Sequence, residues 1–165
     1  MAVIRVVTAI AAPVERCFDL ARDIDFHVRS MARTGERAVM GRTTGLIGLG
    51  ESVTLEARHL GVRQRITAKV TEFDAPKYFR DVMIRGAFQS FSHDHRFEDR
   101  EGGTLMTDEV TFQSLPGPIG ALADRLFMAG YLRRVLESRC QAIKREAESA
   151  ANKPPNQSLQ QTGPA

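Results

Sequence analysis

The sequence predicts an α+β fold: a curved antiparallel β-sheet of about seven strands, with two short helices near its start and a long C-terminal helix across its concave face. Three observations predict it. From Glu36 to about residue 113 the apolar residues recur with a period of two, the spacing of strands with one buried face. The breaks in that pattern are short turn signals, Gly61, Asp74-Ala75-Pro76 and Glu101-Gly102-Gly103, so successive strands are antiparallel neighbours. The period is helical before this region, at Val14, Cys17, Phe18 and Ala21, and again after Pro116-Gly117-Pro118.

Residues 3–10 form an apolar, β-branched run and the first strand. Pro13 follows, pre-set for a first helical turn that needs no N–H donor, and the helix runs to about Arg22. Asp23 or Asp25 can cap a second short helix through Phe26, Val28 and Met31. Strands are expected at 36–42, 51–60, 62–73, 77–85, 88–99 and 103–113. The last helical pattern reaches about residue 147 but has a defect. Ile119, Leu122, Leu126 and Phe127 lie on one side, whereas Leu132, Leu136, Cys140 and Ile143 are centred more than a quarter-turn away. Gly130 lies between them, so either the helix kinks there or its first half packs on both sides. Residues 148–165 hold Pro154-Pro155, several Gln, Asn and Ser, and one leucine. They cannot bury enough apolar surface to offset the entropy of ordering them. The expected organisation is one domain over 1–147 and a disordered tail over 148–165.

The composition is that of an ordinary globular chain: 42% hydrophobic and 26% charged over 165 residues. It excludes a collagen, a mucin-like stalk and a wholly disordered protein. No run approaches the roughly 20 apolar residues needed to cross a bilayer. The N-terminus is too short and too soon interrupted by Arg5 to be a secretory signal. Lys and Arg number 23 against 20 Asp and Glu, a net charge of +3. Arg58, Arg63, Arg65 and Lys69 alternate with apolar residues as on a solvated strand face, so no nucleic-acid partner is expected. Cys17 and Cys140 have no zinc-type spacing and read as reduced, buried residues of a cytoplasmic protein.

Three segments carry a family resemblance. Ile10-Ala11-Ala12-Pro13-Val14-Glu15-Arg16-Cys17-Phe18-Asp19 opens the first helix; Ile66-Thr67-Ala68-Lys69-Val70-Thr71-Glu72-Phe73-Asp74-Ala75-Pro76 is a strand ending in a D-x-P turn. The third is Phe91-Ser92-His93-Asp94-His95-Arg96-Phe97-Glu98, followed by Gly102-Gly103-Thr104 and Met106-Thr107-Asp108. In this order they resemble the START/polyketide-cyclase (SRPBCC) superfamily over about residues 1–147. The resemblance implies the helix-grip fold and an internal cavity between sheet and C-terminal helix. That superfamily includes lipid and quinone carriers, aromatase/cyclases, plant hormone binders and chaperone activators. It supplies no invariant catalytic set, so no catalytic residue is carried over.

Strand alternation selects the inward positions. Phe91, His93, His95 and Phe97 share the phase that holds both aromatics, which puts two histidines about 7 Å apart along the strand facing the interior. Val53, Leu55, Ala57 and His59 share the inner phase of their strand; so do Val62, Gln64, Ile66, Ala68 and Val70, and Met106, Asp108, Val110 and Phe112. An inward histidine needs a partner, because an unpaired buried polar group is costly. Asp108, Gln64 or backbone can satisfy His93 and His95 as core residues. Alternatively the histidines line a cavity and hold the polar end of a ligand, or His95 shuttles a proton with Asp108 orienting it. His93 and His95 with His59 or Asp108 could also form a metal set, but an H-x-H pair alone is a weak signal and no metal or cofactor is assigned.

Residues 42–50, Arg-Thr-Thr-Gly-Leu-Ile-Gly-Leu-Gly, lack the Gly-Lys-Ser/Thr of a P-loop and precede a strand rather than a helix. They form a flexible turn, or a lid whose Leu46, Ile47 and Leu49 touch a ligand or a membrane. Leu115 to Met128 is a second apolar cluster, for core or cavity mouth, and Arg133, Arg134, Arg139, Lys144 and Arg145 read as a solvated helix face.

These readings give a binder of a small hydrophobic molecule such as a lipid, quinone or aromatic polyketide-like compound. Leu55, Phe91, Phe97, Met106, Val110 and Leu126 would form its walls, and His59, Gln64, His93, His95 and Asp108 its polar end. The alternatives are a cyclase/dehydratase-type enzyme using His95 and Asp108, and a protein- or membrane-interaction module with peripheral contact only.

Overall fold

A computed structural model describes residues 1–59, 61–114, 117 and 127–151. The chain runs through β1 (Ala2–Ile10), α1 (Val14–Arg22), α2 (Ile24–Ser30), a single 3₁₀ turn (Ala32–Thr34), β2 (Arg37–Gly41), β3 (Ser52–His59), β4 (Val62–Asp74), β5 (Tyr78–Arg85), β6 (Ser90–Arg100), β7 (Gly103–Gln113) and α3 (Ala129–Ala151). The strands form one seven-stranded sheet in the order β1-β7-β6-β5-β4-β3-β2. Every neighbouring pair is antiparallel. The expected fold is the observed one. Register shifts break the β2–β3 ladder once and the β4–β5 ladder twice. Such bulges bend and twist a sheet, which curls it around the helices.

Helix α1 buries Val14, Cys17, Phe18 and Ala21, the spacing of one helical face. Phe18 is the hub of an aromatic cluster, edge-on to Phe73, Phe79 and Phe97 with ring centroids 5.4, 5.6 and 5.5 Å away. Asp23 is the cap of α2: its carboxylate accepts from the Phe26 N–H at 3.0 Å. Asp25, the other candidate, instead accepts from Gly45 N at 2.8 Å. That bond belongs to a strap. Ile24 N donates to Gly45 O and Ile47 N to Arg22 O, both at 3.0 Å. The glycine-rich segment is therefore stitched to the α1–α2 junction. Its Ile47 is buried, while Leu46 and Leu49 remain exposed. Gly41, at the entry to this segment, has φ of 77°, and a Cβ there would lie 2.1 Å from Ser52 O. Only glycine fits.

Helix α3 runs unbroken through Gly130 from Ala129. Leu136, Cys140, Ile143 and Ala147 form its buried stripe. Of the other stretch expected in this helix, Ile119, Leu122 and Leu126 lie outside the described residues, and Phe127 is exposed. The helix continues past residue 147 to Ala151, and Glu148 accepts a hydrogen bond from Ala11 N at 3.0 Å. Two of its basic residues do not simply face water. Lys144 Nζ donates to Ala9 O at 2.7 Å and an Arg133 guanidinium N–H to Arg5 O at 3.2 Å. Both carbonyls belong to the sheet's edge strand, which is thereby covered. Val62, expected inward, is exposed where β4 begins.

Candidate functional site

Between the curled sheet and the helices lies a cavity of about 360 Å³. Its wall is mostly apolar, with contributions from α2 (Ile24), the strap (Ile47), the sheet (Val53, Leu55, Ile66, Phe91, Val110) and α3 (Leu132, Leu136). Among the described residues, a polar patch interrupts this wall where Asp81, His93, His95 and Arg139 come together, and Gln64, His27 and Glu36 also line the cavity.

The patch follows from sheet register. Asp81 pairs with His93 across β5–β6, and His95 with Asp108 across β6–β7. Each histidine reaches diagonally to the other strand's carboxylate, the next-nearest spacing on a sheet face. His93 Nε2 donates to Asp108 Oδ1 at 3.1 Å, and His95 Nε2 donates to Asp81 Oδ2 at 3.2 Å. His95 Nδ1 also lies 2.8 Å from Asp108 Oδ1, too far off line for a directional hydrogen bond, so that contact is electrostatic. The Cys140 thiol donates to Asp108 Oδ2 at 3.4 Å. Phe79 stacks on His95 with ring centroids 4.1 Å apart, and the two histidine rings are 3.7 Å apart.

Charge is distributed unevenly in this cluster. Burial pulls His95 down, but Asp108 and Asp81 together outweigh it and hold the ring above its ordinary value. For His93 the balance reverses: burial and the adjacent His95 outweigh Asp108 and lower it. Burial would raise Asp108, yet the two histidines hold its carboxyl well below the usual range. Asp81 is lowered in the same way against its own burial, by His95, His93 and Arg139. The cluster thus favours a proton on His95 over one on His93. Burial also pushes the Cys140 thiol far up, with Asp108 adding to it, so it is no nucleophile. A second pair, His27 Nε2 to Glu36 Oε1 at 2.7 Å, resembles a salt bridge. Burial and Arg139 nevertheless lower His27, so this is a hydrogen bond from a neutral ring.

Of the residues the sequence selected, Leu55, Gln64, Phe91, His93, His95 and Val110 line the cavity. Phe97 and Met106 do not. Both are fully buried and register partners on β6 and β7, and Phe18 packs on Phe97 from α1 and closes that end of the sheet. Asp108 also lies off the wall, behind the histidines it holds. The backbone of His59 ends β3 opposite Val62, but its side chain and Leu126 lie outside the described residues.

Several site residues were missed, among them Asp81, His27, Glu36 and Arg139. Asp81 shares the inward phase of β5 with Phe79, a signal that alternation alone could have supplied. His27 follows the buried Phe26 on a helix too short to show a periodicity. Arg139, read as solvated, is buried at the cavity wall. One guanidinium NH₂ donates to Ala21 O at 2.6 Å, while its Nε has no hydrogen-bond partner among the described residues. Its place beside Cys140 and three residues after Leu136, on the buried stripe of α3, was the available signal.

The comparisons agree with this architecture. No curated protein matches the sequence. Solved structures do match, and at their low identities they show the fold alone. TTHA0849 from Thermus thermophilus superposes with a TM-score of 0.74 at 19% identity, over 92% of this chain and 100% of that one. SA2116 from Staphylococcus aureus gives 0.70 at 9% identity, over 92% and 96%. A START superfamily protein from Mycobacterium smegmatis gives 0.64 at 12%, over 90% and 98%. The family of polyketide cyclases/dehydrases and lipid transport proteins matches residues 1–148. With the helix-grip sheet and its C-terminal helix in place, the chain belongs to the polyketide cyclase/dehydrase and lipid transport family.

Proposed function

We propose that this protein binds a small, largely apolar molecule in the cavity, with the molecule's polar end against Asp81, His93 and Arg139. One observation carries the reading: a mostly apolar cavity ends on buried polar groups that are not fully satisfied, the Arg139 Nε above all. An unpaired buried donor costs about 1–3 kcal/mol, which a ligand acceptor would recover. The carboxylates of Asp81 and Glu36 on the same wall disfavour an anionic ligand. A neutral carbonyl or hydroxyl fits better, accepting from Arg139 or donating to Asp81. Lipid, quinone and aromatic polyketide-like compounds all meet this description.

Native mass spectrometry on the purified chain tests the reading, supported by titration with a fluorescent apolar probe. The expected result is a non-covalent mass that disappears on denaturation, or saturable probe binding that Ala57→Phe abolishes by filling the cavity. A clean apo mass together with probe binding unchanged in Ala57→Phe overturns it.

The Asp81–His95–Asp108 relay favours a second reading, a cyclase/dehydratase-type enzyme. His95 is 1% exposed and both its nitrogens face carboxylates, so it would act through Asp81 rather than touch a substrate. Asp81 would accept the substrate proton on its carboxylate, and the His95 hydrogen bond would orient that carboxylate. Turnover lost in Asp81→Asn while ligand binding persists would select this reading. A protein- or membrane-interaction module has less support, because the interior is not filled.

A further inference from the structure

We infer that Asp81, His93 and His95 form a binding site for one divalent transition-metal ion at the polar end of the cavity. The inference stands whether or not an apolar ligand occupies the rest of the cavity. One donor atom from each of the three residues lies within 4.8 Å of the other two. His95 Nε2 and Asp81 Oδ2 are already 3.2 Å apart. Two ligands bound to one ion at about 2.0–2.2 Å each, in tetrahedral or octahedral geometry, sit about 3.0–3.5 Å from one another. That pair needs almost no movement, and the third donor, from His93, lies within 4.8 Å of both. The ion would replace the proton that His95 Nε2 now donates to Asp81, and that proton leaves to solvent.

Two further features are those of a metal site rather than of a simple hydrogen-bonded core. Asp108 lies behind both rings, at 3.1 Å from His93 Nε2 and 2.8 Å from His95 Nδ1. A carboxylate behind a histidine ligand fixes the ring and raises its basicity. All three residues line the cavity and the Asp81 side chain keeps 22% exposure, so an ion held there would face the cavity from the Asp81 side. Two imidazoles and one carboxylate suit zinc, cobalt, nickel or ferrous iron, and suit calcium poorly. On the cavity side the ion would take an oxygen of a cavity ligand, a carbonyl or an enolate.

The test uses the full chain without an affinity tag, stripped by a chelator and titrated with Co²⁺ alone. The expected result is saturation at one equivalent with a visible cobalt absorption, and paramagnetic shifts of the His93 and His95 ring signals far larger than those of His27. The chain has four histidines, so these signals are assignable by substitution. Asp81→Asn is expected to weaken binding by more than tenfold, and Asp108→Asn by about 10–100-fold through the rings it holds. No saturable uptake by the wild-type chain overturns the inference, as does uptake that leaves the His93 and His95 signals unshifted. The wild-type spectra decide this even where a variant fails to fold.

Discussion

Asp108→Asn removes one charge from the buried cluster and almost no volume. In the native protein this carboxylate accepts from His93 at 3.1 Å and from the Cys140 thiol at 3.4 Å, and it faces His95 Nδ1 at 2.8 Å. It is 1% exposed, so water cannot replace it. Removing one partner of a buried ion pair costs about 3–5 kcal/mol. The amide oxygen of Asn still accepts one bond, which places the expected loss near the lower end, about 3 kcal/mol. For a domain of this size that corresponds to a fall in Tm of about 6–12 °C. The assay is urea denaturation at neutral pH on wild type, Asp108→Asn, His95→Gln and the double variant. Asp108→Asn removes one of the two carboxylates that favour a proton on His95, so the two sites are coupled and the double variant should be less destabilised than the sum of the singles. A loss under about 1 kcal/mol, or strict additivity, would refute the claim that Asp108 holds the histidines.

Other expectations follow from the same structure. Phe18→Ala removes the ring at the centre of three edge-to-face contacts and should cost about 3–5 kcal/mol in a denaturant titration; a small loss would mean that α1 collapses into the gap. Asp94 accepts from Tyr78 at 2.6 Å and from Arg80 at 2.9 Å. Burial would raise its carboxyl, but Arg80 and Tyr78 hold it below its ordinary 3.8. Its contribution to stability is therefore present above that pH and lost as pH falls through the folded value. Denaturant midpoints at about pH 5 and about pH 3 should differ less in Asp94→Asn than in wild type. Gly41→Ala should destabilise by more than about 1 kcal/mol, since its new Cβ meets Ser52 O and its φ is positive; an unchanged melting curve would contradict the close approach.

The fold was legible because each of its parts rests on short-range patterning. Period-two alternation with short turns leaves a meander as the simplest path, and Pro13 and Asp23 mark helix starts by local chemistry. The site was legible only along one strand. His93 and His95 stand out because a polar residue among aromatics breaks an otherwise apolar face. Their partners depend on register between strands, which alternation within a strand does not give. Asp81 meets His95 only because β5 and β6 pair with Asp81 opposite His93. Phe97 and Met106 share the inward phase with the cavity residues but lie under α1, so inward and cavity-facing are different properties. Arg139 looked solvated because charge is a poor guide on a helix whose stripe skirts a cavity, where a long side chain can bury its stem and spend its donors inside.

The cluster divides into an enclosed half and an open half, and this division separates positioning from contact. Asp108 and His95 are each 1% exposed, whereas the Asp81 side chain keeps 22% exposure, directed at the cavity wall it helps to form. Burying ions costs several kcal/mol each, and an apolar set of similar volume would stabilise the fold at least as well. The enclosed half makes sense as the support that fixes the charge and orientation of the open half. Asp81→Asn and Asp108→Asn should then behave differently. Asp81→Asn should leave stability within about 1 kcal/mol of wild type, because Asp81 can be partly solvated from the cavity, and should weaken whatever binds there. Asp108→Asn should lose both stability and binding. Thermal melts paired with ligand and Co²⁺ titrations of the two variants measure this directly. Equal stability losses would mean that the cluster is a uniform structural core with no outward-facing half.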